Sequence, residues 1–206
     1  MVRRPAPGAP AQLPLDLPLE PRFGREDFLV GPSNEQAYTL VDLWPGWPER
    51  ILILSGPQGS GKSHLAAIWA VQAKARVLSA RSLATADPSA LAEAGAIVVE
   101  DADASPVAET PFFHLINLVR ERQAYLLVTA RSAPDLWGIR TPDLISRLRL
   151  APRLTIEPPD DALLRALIVK QFLDRQIVID TGVVEYLLTR MERSFAGAQR
   201  VVEALD

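Results

Sequence analysis

From Ile51 onward, short apolar runs alternate with stretches in which apolar positions recur every three or four residues. Ile51-Leu52-Ile53-Leu54, Ile97-Val98-Val99 and Leu126-Leu127-Val128 lack the polar alternation of a half-exposed strand, so they predict strands covered on both faces. We place strands near 51–55, 76–80, 96–100, 125–129 and 153–157, with helices near 62–73, 109–121 and 141–148. This alternation predicts an α/β architecture, a five-stranded parallel sheet flanked by helices. An earlier helix is expected to begin after Ser33, whose hydroxyl can cap it, and to run to about Trp44 before Pro45. Pro158-Pro159 stops the last strand, and helical patterns over 160–174, 180–191 and 195–205 form a small all-helical appendix.

The link between the first strand and the next helix is Gly56-Pro57-Gln58-Gly59-Ser60-Gly61-Lys62-Ser63, the G-x-x-x-x-G-K-S pattern of a phosphate-binding P-loop. Its glycines allow positive φ and a close backbone approach, and the helix that follows points its positive dipole end at an anion. Lys62 is placed to reach the β- and γ-phosphates of a nucleotide, and Ser63 to ligate Mg²⁺. A second buried-strand pattern ends in Glu100-Asp101, where a P-loop NTPase carries the acids that hold the metal and orient water. Glu100 is assigned to the magnesium and Asp101 to water, and the division between them stays open.

With 206 residues, 48% of them hydrophobic, the chain can bury a full core. It has no cysteine, and its two histidines, His64 and His114, do not make a zinc site, so no metal beyond nucleotide-bound Mg²⁺ is expected. No apolar run approaches the ~20 residues of a membrane helix, and the N-terminus lacks the apolar centre of a secretory signal. A cytoplasmic location without membrane association is expected. A net charge of −3 offers no broad basic field, so DNA is expected only indirectly, through partners. Residues 1 to about 25 are proline-rich and without periodicity, which predicts a flexible arm.

Taken together, the P-loop, the acidic strand, Tyr125-Leu126-Leu127-Val128-Thr129-Ala130-Arg131 and the helical appendix resemble an AAA+ module, and within that class the DnaA/Hda family of replication proteins. Phe28-Leu29-Val30-Gly31-Pro32-Ser33-Asn34-Glu35-Gln36-Ala37 resembles the family's adenine-pocket entry, which implies Val30 as a nucleotide-binding residue. Gly61-Lys62-Ser63-His64-Leu65 resembles its P-loop exit, Ile156-Glu157-Pro158-Pro159 its junction to the lid, and Phe113-His114-Leu115-Ile116-Asn117-Leu118 also matches. The resemblance covers roughly residues 23–206 and implies a nucleotide-binding base over 23–158 and a lid over 159–206. Because the sequence stops at Asp206, the family's short regulatory branch fits better than its full initiators, which carry a further DNA-reading domain. That branch implies a regulator which, with the DNA-loaded sliding clamp, makes ATP-bound DnaA hydrolyse its nucleotide.

Two segments carry that implied role. In the arm, residues 1–22, Gln12-Leu13-Pro14-Leu15-Asp16-Leu17-Pro18 looks like a clamp-binding peptide, with the Gln12 amide for a polar pocket, Leu15 and Leu17 for an apolar cleft, and Leu13 in the same clamp-binding run. Thr141-Pro142-Asp143-Leu144-Ile145-Ser146-Arg147-Leu148 resembles the segment that presents an arginine finger, which implies Arg147 acting in trans, with Arg140, Arg149 and Arg153 as nearby competitors. The sequence also departs from the family. Thr129 stands where a sensor acid is usual, and Gly197 where the lid arginine is expected, leaving Arg193 or Arg200 as substitutes. A bound ADP or ATP with weak intrinsic turnover is therefore expected, and self-association is implied by family analogy alone.

Overall fold

A computed structural model describes residues 24–104 and 106–205. The expected arm, with Gln12, Leu13, Leu15 and Leu17, lies outside the described residues.

Five strands, β1 (Ile51–Ser55), β2 (Arg76–Ser79), β3 (Ala96–Glu100), β4 (Tyr125–Ala130) and β5 (Arg153–Thr155), form one sheet in the order β2-β3-β4-β1-β5. Every pairing is parallel, with Ile53 opposite Val128 in the β1–β4 register. The central strands are buried on both faces because period-two alternation sends Ile51 and Ile53 into one apolar cluster and Leu52 and Leu54 into the other. Helices α1 (Glu35–Asp42) and α2 (Lys62–Ala73) cover one face. On the other lie α3 (Pro88–Glu93), α4 (Glu109–Glu121) and α5 (Pro142–Leu150). A separate three-helix lid, α6 (Asp161–Asp174), α7 (Thr181–Leu188) and α8 (Phe195–Leu205), has its own core around Leu164, Ile168, Ala198 and Val202.

The expected strands and long helices are present, with shifted ends. Strand β5 stops at Thr155, although Ile156 N–H still donates to Ser55 O at 2.7 Å. Helix α1 ends at Asp42, and α7 spans only Thr181–Leu188. The expected Ser33 cap is corrected: Asn34 occupies the cap position, and the Ser33 hydroxyl is buried with no hydrogen-bond partner among the described residues. The Asn34 side chain serves the preceding loop instead, accepting from Gly31 N–H and donating to Leu29 O, both at 2.9 Å. Helix α3 went unanticipated because it is only six residues long and carries no apolar period. Its signal was Asp87-Pro88, an aspartate accepting from Ser89 N–H ahead of a proline at the first helical position.

Candidate functional site

The P-loop runs from the end of β1 into α2, at the edge of the sheet where all parallel strands terminate. Gly56, at φ +155°, lies against the base–lid junction: a Cβ there would meet Ile156 O at 2.3 Å. Gly59, at φ +71°, approaches the lid so closely that a Cβ would meet the Ala196 Cβ at 2.8 Å. Gly61 heads α2 in the left-handed region, and no side chain caps the helix, so its first N–H groups face outward for an anion.

Lys62 is 7% exposed. Its ammonium donates to Gly56 O at 2.8 Å, Pro57 O at 2.7 Å and Ser60 Oγ at 3.4 Å, on the inner side of the loop. Burial pulls its pKa below the ordinary lysine value, and the charges of Asp101 and Asp103 partly offset that effect. A cation held this way is poised to exchange carbonyl partners for phosphate oxygens.

Between the P-loop and the lid lies a cleft of about 340 Å³, lined on one side by Gly59, Ser60, Gly61, Lys62, Ser63 and His64. Its opposite wall comes from α6 and α8, including Lys170, Arg175, Phe195 and Gln199, and the segment Asp27-Phe28-Leu29 closes one end. Phe28 stacks on Tyr38 with ring centroids 5.6 Å apart and meets the His64 ring edge-on at 5.2 Å. His64 Nε2 lies 3.0 Å from Gly24 O. The lid is fastened to the loop by Phe195 N–H donating to Gly59 O at 3.0 Å. A glycine cradle, an uncapped twelve-residue helix and a lysine in register fit a nucleotide's phosphates, with Ser63 available to a magnesium ion.

The remaining residues singled out in the sequence fall in three places. Val30 is 46% exposed, and its neighbours Phe28 and Leu29 line the cleft instead; Gln58 is likewise exposed. Glu100, Asp101 and Thr129 group at the ends of β3 and β4. Asp101 takes φ +54°, and its N–H donates to Thr129 Oγ1 at 3.1 Å, so the buried threonine holds the acidic turn. Gly56 N–H donates to Ala130 O at 3.2 Å, which ties this turn's strand to the P-loop. Arg147 sits apart from the cleft on the last turn of α5, packed 4.8 Å over the Phe113 ring and hydrogen-bonded to Asn117 Oδ1. Of its competitors, Arg149 pairs with Asp135.

In the lid, Arg193 pairs with Asp161 and Arg200 with Glu192, and neither lines the cleft. Sequence reasoning missed Lys170 and Arg175, because no motif distinguishes two cations on an otherwise ordinary helix. It also missed Asp103, whose carboxylate accepts from Arg131 N–H at 2.9 Å and acts electrostatically on Lys62. The only signal there was an acid two residues beyond the acidic pair.

This sheet order and helical lid match the AAA+ P-loop NTPase fold. The chain is 22% identical over 201 residues to the chromosomal replication initiator protein DnaA of Cutibacterium acnes, an overlap covering 84% of this chain and 40% of that protein. It superposes on replication initiator DnaA bound to AMPPCP and single-stranded DNA with a TM-score of 0.79 at 20% identity, covering 91% of this chain and 65% of that one. On domain III of the Thermotoga maritima DnaA the TM-score is 0.71 at 20% identity, covering 92% and 88%. The chain thus spans about 40% of the length of the curated relative it matches. No family model matches it.

Proposed function

We propose that this chain binds an adenine nucleotide with magnesium between base and lid, and in that state regulates replication initiation as an Hda-like partner of DnaA. The observation that carries the reading is the cleft itself, in which P-loop backbone, Lys62 and lid helices converge. Support also comes from the sequence similarity to DnaA and the nucleotide analogue named for its structural relative. The nucleotide supplies phosphate charge that draws P-loop and lid together. Gly59, Gly61, Lys62 and Ser63 hold the phosphates and metal, and Phe28, Leu29 and His64 enclose the base. Glu100, Asp101 and Thr129 are assigned to the metal and water side of the phosphates. With Arg193 and Arg200 both engaged by carboxylates, turnover by the chain alone is slow.

In this reading Gln12, Leu13, Leu15 and Leu17 engage the sliding clamp, and Arg147 completes the ATP site of a neighbouring DnaA subunit. An arginine so placed contributes ~10³–10⁵ in rate. The chain should bind ADP or ATP in a magnesium-dependent titration, and Lys62→Ala should abolish binding; binding unaffected by that change refutes the nucleotide site. Hydrolysis of ATP by DnaA, measured with clamp and DNA, should rise on adding the chain. It should fall back to the unstimulated rate with Arg147→Ala or on deletion of residues 1–20, and retained stimulation in either variant removes that segment from the mechanism.

One observation favours a second reading, a clamp adaptor whose nucleotide is structural and whose Arg147 is inert. Arg147 already has partners within its own chain, Asn117 and Phe113. In that case Arg147→Ala lowers thermal stability and leaves DnaA hydrolysis unchanged.

A further inference from the structure

At the end of the sheet opposite the P-loop, where β1 and β4 begin, an open groove of about 720 Å³ is bordered by Trp47, Arg50, Arg120, Gln123, Tyr125 and Leu150. Its floor is fixed from beneath. The Arg50 guanidinium lies 4.5 Å over the Tyr125 ring, the Tyr125 hydroxyl donates to Pro45 O at 2.9 Å, and Trp47 stacks on Trp69 at 4.9 Å. Among the described residues neither Arg50 nor Arg120 forms an ion pair, and Glu49, which also borders the groove, bridges to neither. The other arginines of this acidic chain include several tied to carboxylates, such as Arg149, Arg165, Arg193 and Arg200. Beside this cationic pair, Leu150 is 69% exposed on the groove's border.

We propose that this groove binds an extended acidic segment of a partner protein, with its carboxylates on Arg50 and Arg120 and an aliphatic side chain against Leu150. Guanidinium forks match carboxylates in a bidentate manner, and a partner supplying them completes charges that the chain leaves unpaired. A nucleic-acid strand fits less well, because two arginines in a chain of net charge −3 do not track a phosphate backbone. The chain's own arm is a competing source of carboxylates, Asp16 and Glu20, and the test below separates it from a partner protein.

The test uses the full chain and a fluorescein-labelled peptide of alternating Glu and Leu, read by anisotropy. Controls are its Gln-and-Leu counterpart, a single-stranded oligodeoxythymidine and a peptide copying residues 12–21. Binding of the Glu-and-Leu peptide should exceed that of the Gln version by about a hundredfold, the loss expected for two charge pairs at about tenfold each. It should fall about tenfold in Arg120→Glu and in Arg50→Gln while nucleotide binding at the P-loop is unchanged. Should Arg50→Gln perturb the Tyr125 stack, Arg120→Glu decides, because the Arg120 guanidinium forms no ion pair among the described residues. Equal binding of both peptides, or no effect of Arg120→Glu, overturns the proposal. Preferential binding of the oligonucleotide or of the 12–21 peptide overturns it in favour of those occupants.

Discussion

Gly197 shows how one position constrains what the lid can do. The DnaA/Hda resemblance implies an arginine there, yet a Cβ at Gly197 would sit 2.3 Å from Glu192 O, and the Gly197 N–H donates to Ser194 Oγ at 2.9 Å. The backbone approach that begins α8 therefore excludes any side chain, and the departure from the family pattern is steric. Gly197→Ala should destabilise the chain by about 1–3 kcal/mol, the range for forcing extra atoms into a packed site, read as a lowered midpoint in urea unfolding. Gly197→Arg should likewise destabilise and should add no ATP turnover. A variant as stable as the parent would mean that the Glu192 turn relaxes freely. Nothing in the sequence around Arg193-Ser194 exposes this constraint, because it arises from a contact with a carbonyl five residues earlier.

Among elements, the start of α5 is fastened to α4 by one carboxylate. Glu109, in the first turn of α4, accepts from Arg140 N–H at 3.0 Å, Thr141 N–H at 2.8 Å and the Thr141 hydroxyl. Thr141 is the residue that caps α5, so the helix carrying Arg147 is positioned from its start. The Thr141 hydroxyl, first, and the two backbone donors hold the Glu109 carboxyl below its ordinary pKa. A carboxylate with a depressed folded pKa contributes stability above its unfolded value, ~4.3, and loses it as pH falls through the folded value. The stability gap between parent and Glu109→Gln should therefore be present at pH 7 and close as pH drops below about 4.3; a gap independent of pH would mean the carboxylate's charge contributes nothing. The elements themselves were legible where burial dictates sequence. Strands β1, β3 and β4 need apolar residues on both faces, and α4 and α6 need a long apolar stripe. Boundaries and caps were less legible, as Asn34 displacing Ser33 shows, because two adjacent polar residues offer the same local chemistry and only the loop at Leu29 and Gly31 decides between them. The P-loop was readable for the opposite reason: its function requires a local run of residues. The cleft's far wall was not, since Lys170 and Arg175 are brought there by the docking of the lid.

For the molecule as a whole, three separate apolar clusters mean that base and lid each have a core, and Leu29 of the base packs against the lid's cluster while polar bonds join the two beside it. Phe195 N–H reaches Gly59 O, and the Lys170 ammonium, on α6, lies 2.6 Å from Asp27 and 2.7 Å from Asp174. Burial lowers the pKa of Lys170, but the hydrogen bonds its ammonium donates to the two carboxylates outweigh it, so the net shift is upward. Asp27 belongs to the segment that also carries Phe28 and Leu29 into the cleft, so this ion pair joins lid, base and cleft wall at one point. A lid held by such bonds can tighten when phosphate charge enters, and a ligand at one hundred times its dissociation constant stabilises the state that binds it by about 2.7 kcal/mol. Lys170→Met, which keeps the stem's apolar length and removes the charge, should weaken the lid's attachment by about 1–2 kcal/mol, between the values for exposed pairs and for charge-assisted bonds in the interior. Hydrogen exchange should then quicken across α6–α8 while the amides of β1, β3 and β4 stay protected, and nucleotide affinity should drop about five- to thirtyfold. Exchange that quickens equally in sheet and lid would mean that the two cores unfold together and that Lys170 is no hinge point between them.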